Sequence, residues 1–226
     1  SATYRQSSTI EETKYALDPE NLFYARGPKL RLSAEEIRDQ ALFVSNLLSD
    51  KKYGPGVMPP QPDGIWEHAY LGNLWKESKG EDRYRRAIYT YLKRTSPYPS
   101  LISFDAGSRE VCLVRRSPSN TPLQALVTLN DPVFLEAALN LANLNSDLPK
   151  RQAIKKMYKT AVYQEIDDQI LDLLERLFDE AYQDFDQTPE KLQDFFNQES
   201  EVDQKLAALA VVGNAIMNLD EFLTHG

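Results

Sequence analysis

The sequence predicts an all-α domain, an irregular bundle of about eight helices joined by long Pro-rich loops, and three observations carry that reading. Capped segments with a 3.6-residue apolar period follow one another along the chain. No alternating strand of useful length interrupts them. Thirteen prolines against nine glycines punctuate helices rather than supply flexible linkers. At 226 residues and 42% hydrophobic content, one compact domain spanning 1–226 can bury a core of its own.

Taken in order, residues 1–32 read as irregular, with Asp18-Pro19 opening one or two turns through Asn21–Ala25 before Gly27-Pro28 stops them. Ser33 with Glu36 forms a capping box, and Ile37, Ala41, Val44, Leu47 and Leu48 give a helix through about Ser49. Lys51–Gly64 holds four prolines and three glycines and cannot be regular. Such a loop is pinned across a surface or functional. Tyr53, Trp66, Tyr70 and Trp75 around it cover a core edge, or offer an aromatic platform for a sugar or partner. Ile65–Glu77 and Asp82–Arg94 read as helices. The second has Tyr84, Ile88, Tyr91 and Leu92 on one face and a solvated, salt-bridged face with Arg83, Arg85 and Arg86.

Further on, Thr121 and Asp131 each precede a proline, Pro122 and Pro132, at a first helical position. Leu123, Leu126, Val127 and Leu129 supply the first of these helices; Phe134, Leu135, Ala138, Leu139 and Leu141 the second. Leu148-Pro149 opens a helix through Tyr163, and a long one runs from Asp167 to about Asp186. Thr188-Pro189-Glu190 starts a short helix with Leu192, Phe195 and Phe196. Val202–Met217, apolar nearly all round, belongs at the centre of the bundle, and Leu219–Leu223 should dock rather than fray.

The net charge of −8 is unevenly spread. Residues 1–145 hold 18 Lys and Arg against 17 Asp and Glu; residues 146–226 hold 8 against 17. The Arg-rich part, with 11 Arg to 7 Lys, suits specific pairing, and the acidic part solubility. Neither is a clustered basic surface, so nucleic acid is not an expected partner. No apolar run reaches the length of a membrane span. One cysteine excludes an internal disulfide. The chain begins at Ser1 without a signal-peptide pattern and reads as a domain cut from a longer protein.

No catalytic motif stands out. CxxCH, HExxH, GxSxG and a phosphate loop are missing, so neither haem nor any other cofactor is expected in this chain. His68 and His225 stand far apart and are not expected to ligate a metal. Cys112, between Val111 and Leu113, reads as a small buried hydrophobe.

The densest stretch is Phe104–Glu136. Asp105, Arg109, Glu110, Arg115, Arg116 and Asp131 form a candidate ion-pair cluster there, because arginines beside the apolar run Val111–Val114 should be partly buried and paired.

Five segments form one set: TYRQSS (Thr3–Ser8), RLSAEEIRDQAL (Arg31–Leu42), FDAGSREVC (Phe104–Cys112), RRSPSNTPLQALVTLNDPVF (Arg115–Phe134) and NLDEFLTH (Asn218–His225). In this order they resemble the planctomycete-type, cytochrome-associated domain of unknown function numbered 1553. The resemblance implies a C-terminal module of a large exported bacterial protein, periplasmic or at the cell surface, with a c-type cytochrome module upstream. It implies no reaction. In that context Arg5, Arg26 and Arg31 are candidate partners for Asp105 or Glu110.

Two readings follow. In the first the chain is a non-catalytic helical module that docks other domains of the same polypeptide. In the second it is a ligand-binding or enzymatic domain whose pocket, lined by Tyr4, Arg5, Arg109, Arg115, Asn120 and Gln124, takes an anion or carbohydrate. The first is preferred, since no nucleophile, base and orienting group come together in the sequence.

Overall fold

The structure, a computed structural model of the chain, describes residues 1–2, 5–62, 75–94, 96–107, 111–190, 192 and 203–225. Among these it is essentially all-α. Nine α-helices occur: α1 (Glu12–Leu17), α2 (Ala34–Val44), α3 (Pro99–Ser103), α4 (Pro122–Asn130), α5 (Pro132–Asn143), α6 (Lys150–Val162), α7 (Asp168–Gln187), α8 (Gln204–Met217) and α9 (Asp220–Leu223). The only sheet among the described residues is a two-residue pair, β1 (Leu30–Arg31) with β2 (Thr224–His225), antiparallel, which ties the chain's front to its end.

Helix α8 is the axis of the bundle, and α5, α6 and α7 pack around it. Its apolar residues face neighbours on most sides, with Ala207, Ala208, Leu209, Val212, Ile216 and Met217 all buried. Gly213 lets α5 and α6 come close: a Cβ there would lie 3.3 Å from the Ala138 carbonyl oxygen and 3.1 Å from the Met157 methyl. Helix α7 contributes Leu171, Leu174, Phe178 and Phe185 and turns its carboxylates outward, where Arg151 and Lys150 meet Asp172 and Asp179.

The helix starts follow the chemistry of their caps. Ser33 Oγ accepts from the Glu36 amide, and the Glu36 carboxylate accepts from the Ser33 N–H at 2.8 Å, so the capping box is formed. Asp131 Oδ1 accepts from the Val133 amide at 2.9 Å and caps α5, while Asp167 caps α7 in the same way. Thr121 holds the N-cap position of α4 without a side-chain bond.

Several expectations are corrected. Asp82–Arg94 is not a helix. It forms two 3₁₀ turns, Gly80–Tyr84 and Ala87–Tyr89, and then runs irregularly. The reason lies in the loop opposite. Backbone groups at Tyr84, Tyr89 and Tyr91 bond to Ser49 and Val57 instead of to their own helix. Arg85 is not on a solvated face either. It is 1% exposed and donates to the carbonyls of Pro55 (3.1 Å) and Tyr53 (2.5 Å), its guanidinium lying 3.8 Å from the Tyr89 ring centre. The Pro-rich loop is thereby pinned, and Trp75 Nε1 and the Tyr98 hydroxyl fix it again at Pro59 and Pro60.

In the N-terminal segment the helix is Glu12–Leu17, while the turns after Asp18 remain a loop. The expected helix over Ile65–Glu77 lies outside the described residues up to 74, and residues 75–77 are irregular. Trp66, His68 and Tyr70 also lie outside, as does most of the short helix after Thr188. Cys112 is exposed rather than buried, because the run Val111–Val114 forms no part of the core: Val111, Leu113 and Val114 are all exposed.

Candidate functional site

Helices α3, α4 and α5 meet where the NTPLQALVTLNDP segment folds back, and two polar groups of side chains hold the junction. In the first, Asp105 adopts the left-handed backbone (φ 63°) just after α3, a conformation Asp tolerates better than most residues. Its carboxylate accepts from the Ser119 amide at 2.6 Å and from the Ser119 hydroxyl, which closes the loop between them. Gln124, 1% exposed, donates to the Ser103 carbonyl at 3.0 Å and to Asp105 at 3.4 Å. Its oxygen accepts from Arg31 at 2.7 Å, and Arg31 lies 4.0 Å from Asp220. One line of polar contacts therefore joins α4 to β1 and the C-terminal helix α9.

The second group is buried more deeply. Asp131 Oδ2 accepts from the Ser100 hydroxyl while Oδ1 caps α5. Burial pushes the Asp131 carboxyl above its usual value, against the hydrogen bonds from Ser100 and Val133 and the nearby Arg38 guanidinium. Tyr98, fully buried, donates to Pro60 and has its phenol pushed up by burial. Arg38 donates through its two terminal nitrogens to the carbonyls of Arg85 and Arg83. Nearby, Arg83 and the Tyr84 hydroxyl converge on Glu136, and burial pushes the Tyr84 phenol up to about 12.

Between α3, α4 and α5 opens a cavity of about 270 Å³, lined by Pro62, Pro99, Ser100, Leu126, Val127, Asn130 and Asp131. Its walls are apolar, and Asp131 reaches it with both oxygens already engaged. The carboxylate works here as a cap and a strut. Among the described residues, no three His, Cys, Asp or Glu side chains are placed to hold a metal.

Of the residues expected to line an anion or carbohydrate pocket, the described ones do not line this cavity. Arg5, Arg115 and Asn120 are exposed, Gln124 is buried in the network just described, and Tyr4 and Arg109 lie outside the described residues. Of the expected ion-pair cluster, Glu110 also lies outside. Arg116 pairs bidentately with Glu35 at the start of α2 (2.6 and 2.9 Å), not with Asp105 or Asp131. Asp105 and Asp131 bind serine hydroxyls and amides instead, because each sits where a turn leaves N–H groups without partners. Ser100, Ser119 and Arg38 gave no signal in the sequence, being single polar residues without a pattern around them.

Helix α4 shows the main departure from the sequence pattern. Gln124 and Thr128 point inward and are 1% and 0% exposed, whereas Leu123, Leu126 and Leu129 are 57%, 56% and 38% exposed. Thr128 donates to Asn218 at 2.7 Å and its carbonyl accepts from Asn214 of α8 at 2.9 Å. The polar side of the helix is thus satisfied inside the domain, and the leucines form its outer face.

A family model described as PSD1, protein of unknown function (DUF1553), matches residues 1–178. No curated protein and no solved structure matches the chain.

Proposed function

Since the chain belongs to the DUF1553 family, whose function is unassigned, we propose that it is a non-catalytic interaction module. The observation that carries this is the inverted α4: leucines outside, glutamine and threonine inside. A contiguous exposed apolar face marks a surface that another body covers. The partner is another domain of the same exported, cytochrome-associated polypeptide, held at the periplasmic or cell-surface side, and the chain itself works without a cofactor. Resemblance to the family supports this context. Among the described residues no helix is long and apolar enough to cross a membrane.

Carbene footprinting tests the reading. Leu123, Leu126 and Leu129 should be labelled in the 226-residue chain and protected in the intact polypeptide that carries it. Leu126→Asp should abolish that protection and leave the melting temperature within a few degrees, since the side chain is half-exposed. Equal labelling in both contexts overturns the proposal.

A further inference from the structure

The cavity between α3, α4 and α5 and the outer face of α4 share a residue. Leu126 lines the cavity and also stands in the exposed row with Leu123 and Leu129, itself 56% exposed. A body laid over that row therefore stands at the mouth of the cavity. What can enter follows from the cavity's size and walls.

Its volume is about 270 Å³. Sites that enclose a drug-sized ligand run to roughly 300–1,000 Å³, and an apolar cavity of roughly 150 Å³ takes up benzene. The space is that of one ring with a short arm. Pro62, Pro99, Leu126 and Val127 make the walls apolar. The polar groups between them turn to the protein. Ser100 donates its hydroxyl to Asp131, whose other oxygen caps α5, and the Asn130 side-chain amide donates to the Leu126 carbonyl at 2.8 Å. Among the described residues no Lys, Arg or His lines the space, so an anion would meet a carboxylate and no cation. A sugar would leave water for walls that return few hydrogen bonds. An uncharged ring gives up no hydrogen bond on entering. It also meets the C–H faces of two prolines, the pairing by which aromatic grooves recognise Pro-rich segments.

The seat is fixed in advance. The Tyr98 hydroxyl donates to the Pro60 carbonyl and Trp75 Nε1 to the Pro59 carbonyl, and the two rings stack with centres 5.8 Å apart. Tyr98 precedes α3, whose first residue is Pro99, so these contacts hold the Pro-rich loop against the start of that helix. A rigid pocket spares the cost of ordering one on docking. Interfaces concentrate their affinity where an aromatic anchor fills such a pocket. We propose that this cavity is the anchor site of the α4 face and seats one uncharged aromatic side chain of the neighbouring domain. The proposal rests on the reading of that face as covered in the intact polypeptide, and it names the group that enters.

Toluene is the probe, followed in methyl spectra of the 226-residue chain. The Leu126 and Val127 methyls should shift with a dissociation constant on the order of 1 mM, the strength open to a ligand of so few atoms. Asn130→Phe, at an exposed position on the wall, supplies a ring of its own and should weaken toluene at least about tenfold. Leu126→Trp, read at Val127, is a second plug, while Asn130→Ala leaves the cavity open and should bind as wild type does. Circular dichroism should show all three folded, since both positions are exposed. In the intact polypeptide the wild type should no longer take up toluene. Carbene labelling of Leu123 and Leu129 there should stay low for wild type and Asn130→Ala and rise for the two plugged variants. Leu126 and Val127 methyls that ignore toluene at about 5 mM in the 226-residue chain overturn the proposal. So does an intact polypeptide that still takes up toluene. If both plugged variants keep the α4 leucines protected, the cavity is a site for a free apolar molecule at most, and the anchor fails while the covered face stands. If wild-type leucines are labelled equally in both contexts, the covered face fails and the anchor with it.

Discussion

Two halves of this molecule are held together in different ways. From α5 to α8 the bundle is a matter of burial: Phe134, Leu141, Ile154, Met157, Leu171, Leu209 and Ile216 are each no more than 2% exposed. Most of its charged residues stand outside, with Glu136, part-buried against Arg83 and Tyr84, as an exception. From Asp18 to Asp131 polar groups share the interior. Arg38, Arg85, Gln124, Thr128 and Asp131 are buried beside Ile37, Leu42, Tyr98 and Leu101, while Phe43, Ile88, Val114, Leu123 and Leu126 are exposed. There the chain is fixed by side chains bonding to backbone groups of loops that lack a ladder of their own. The lesson is that apolar period reports burial where apolar neighbours receive the stripe, as they do for Ile37, Ala41 and Val44 of α2. Where buried polar side chains have distant partners, as in α4 and the Arg85 segment, those partners decide which way a segment faces.

The largest effect should come from the bundle. Phe134→Ala leaves a cavity between α5 and its neighbours and should cost about 3–5 kcal/mol in urea denaturation. A loss under about 1 kcal/mol would mean that burial of Phe134 is not what holds the bundle.

Arg85→Met is the matching test of the other half. It strands loop carbonyls that Arg85 now satisfies and should cost about 2–4 kcal/mol. Arg85→Lys should recover little of that loss, since an ammonium cannot reproduce the planar fork. Full rescue by Lys would mean that charge, not geometry, holds the loop.

Asp131 sharpens the comparison through pH. Its folded carboxyl is raised above the usual 3.8 by burial. In that window the folded state holds more protons than the unfolded one, so this group's contribution to stability falls as pH rises. Asp131→Asn keeps one oxygen to accept from the Val133 amide, turns its amide nitrogen to the Ser100 hydroxyl, which can accept, and does not ionise. Denaturation followed from about pH 4 to pH 7 should show the variant gaining on wild type as pH rises. A constant difference across that range would mean Asp131 titrates normally.

The smallest effect belongs to Arg116→Gln. Its pair with Glu35 is well formed, but the two side chains are 38% and 29% exposed, and the loss should stay under about 1 kcal/mol. A larger loss by thermal melting would place Arg116 with the structural arginines Arg38 and Arg85.

Much was legible from residues alone. The capping box at Ser33 and the Asp131-Pro132 and Asp167 starts rest on local bonds between neighbours in sequence, so they survive any tertiary arrangement. The long helices of the second half follow from their period, and the all-round apolar Gln204–Met217 could go nowhere but the centre. What only the tertiary structure decided is the facing of the first half. Leu123, Leu126 and Leu129 make the same apolar stripe whether they point in or out. The choice falls to Gln124 and Thr128, which find partners at Ser103, Arg31 and Asn218, far away in sequence. Likewise the period of Tyr84, Ile88 and Tyr91 suggests a helix, but the Arg85 bonds to loop carbonyls and the backbone bonds to Ser49 and Val57 leave only two 3₁₀ turns. A buried polar group must be satisfied wherever its partner lies, and that long-range condition is one no local pattern records.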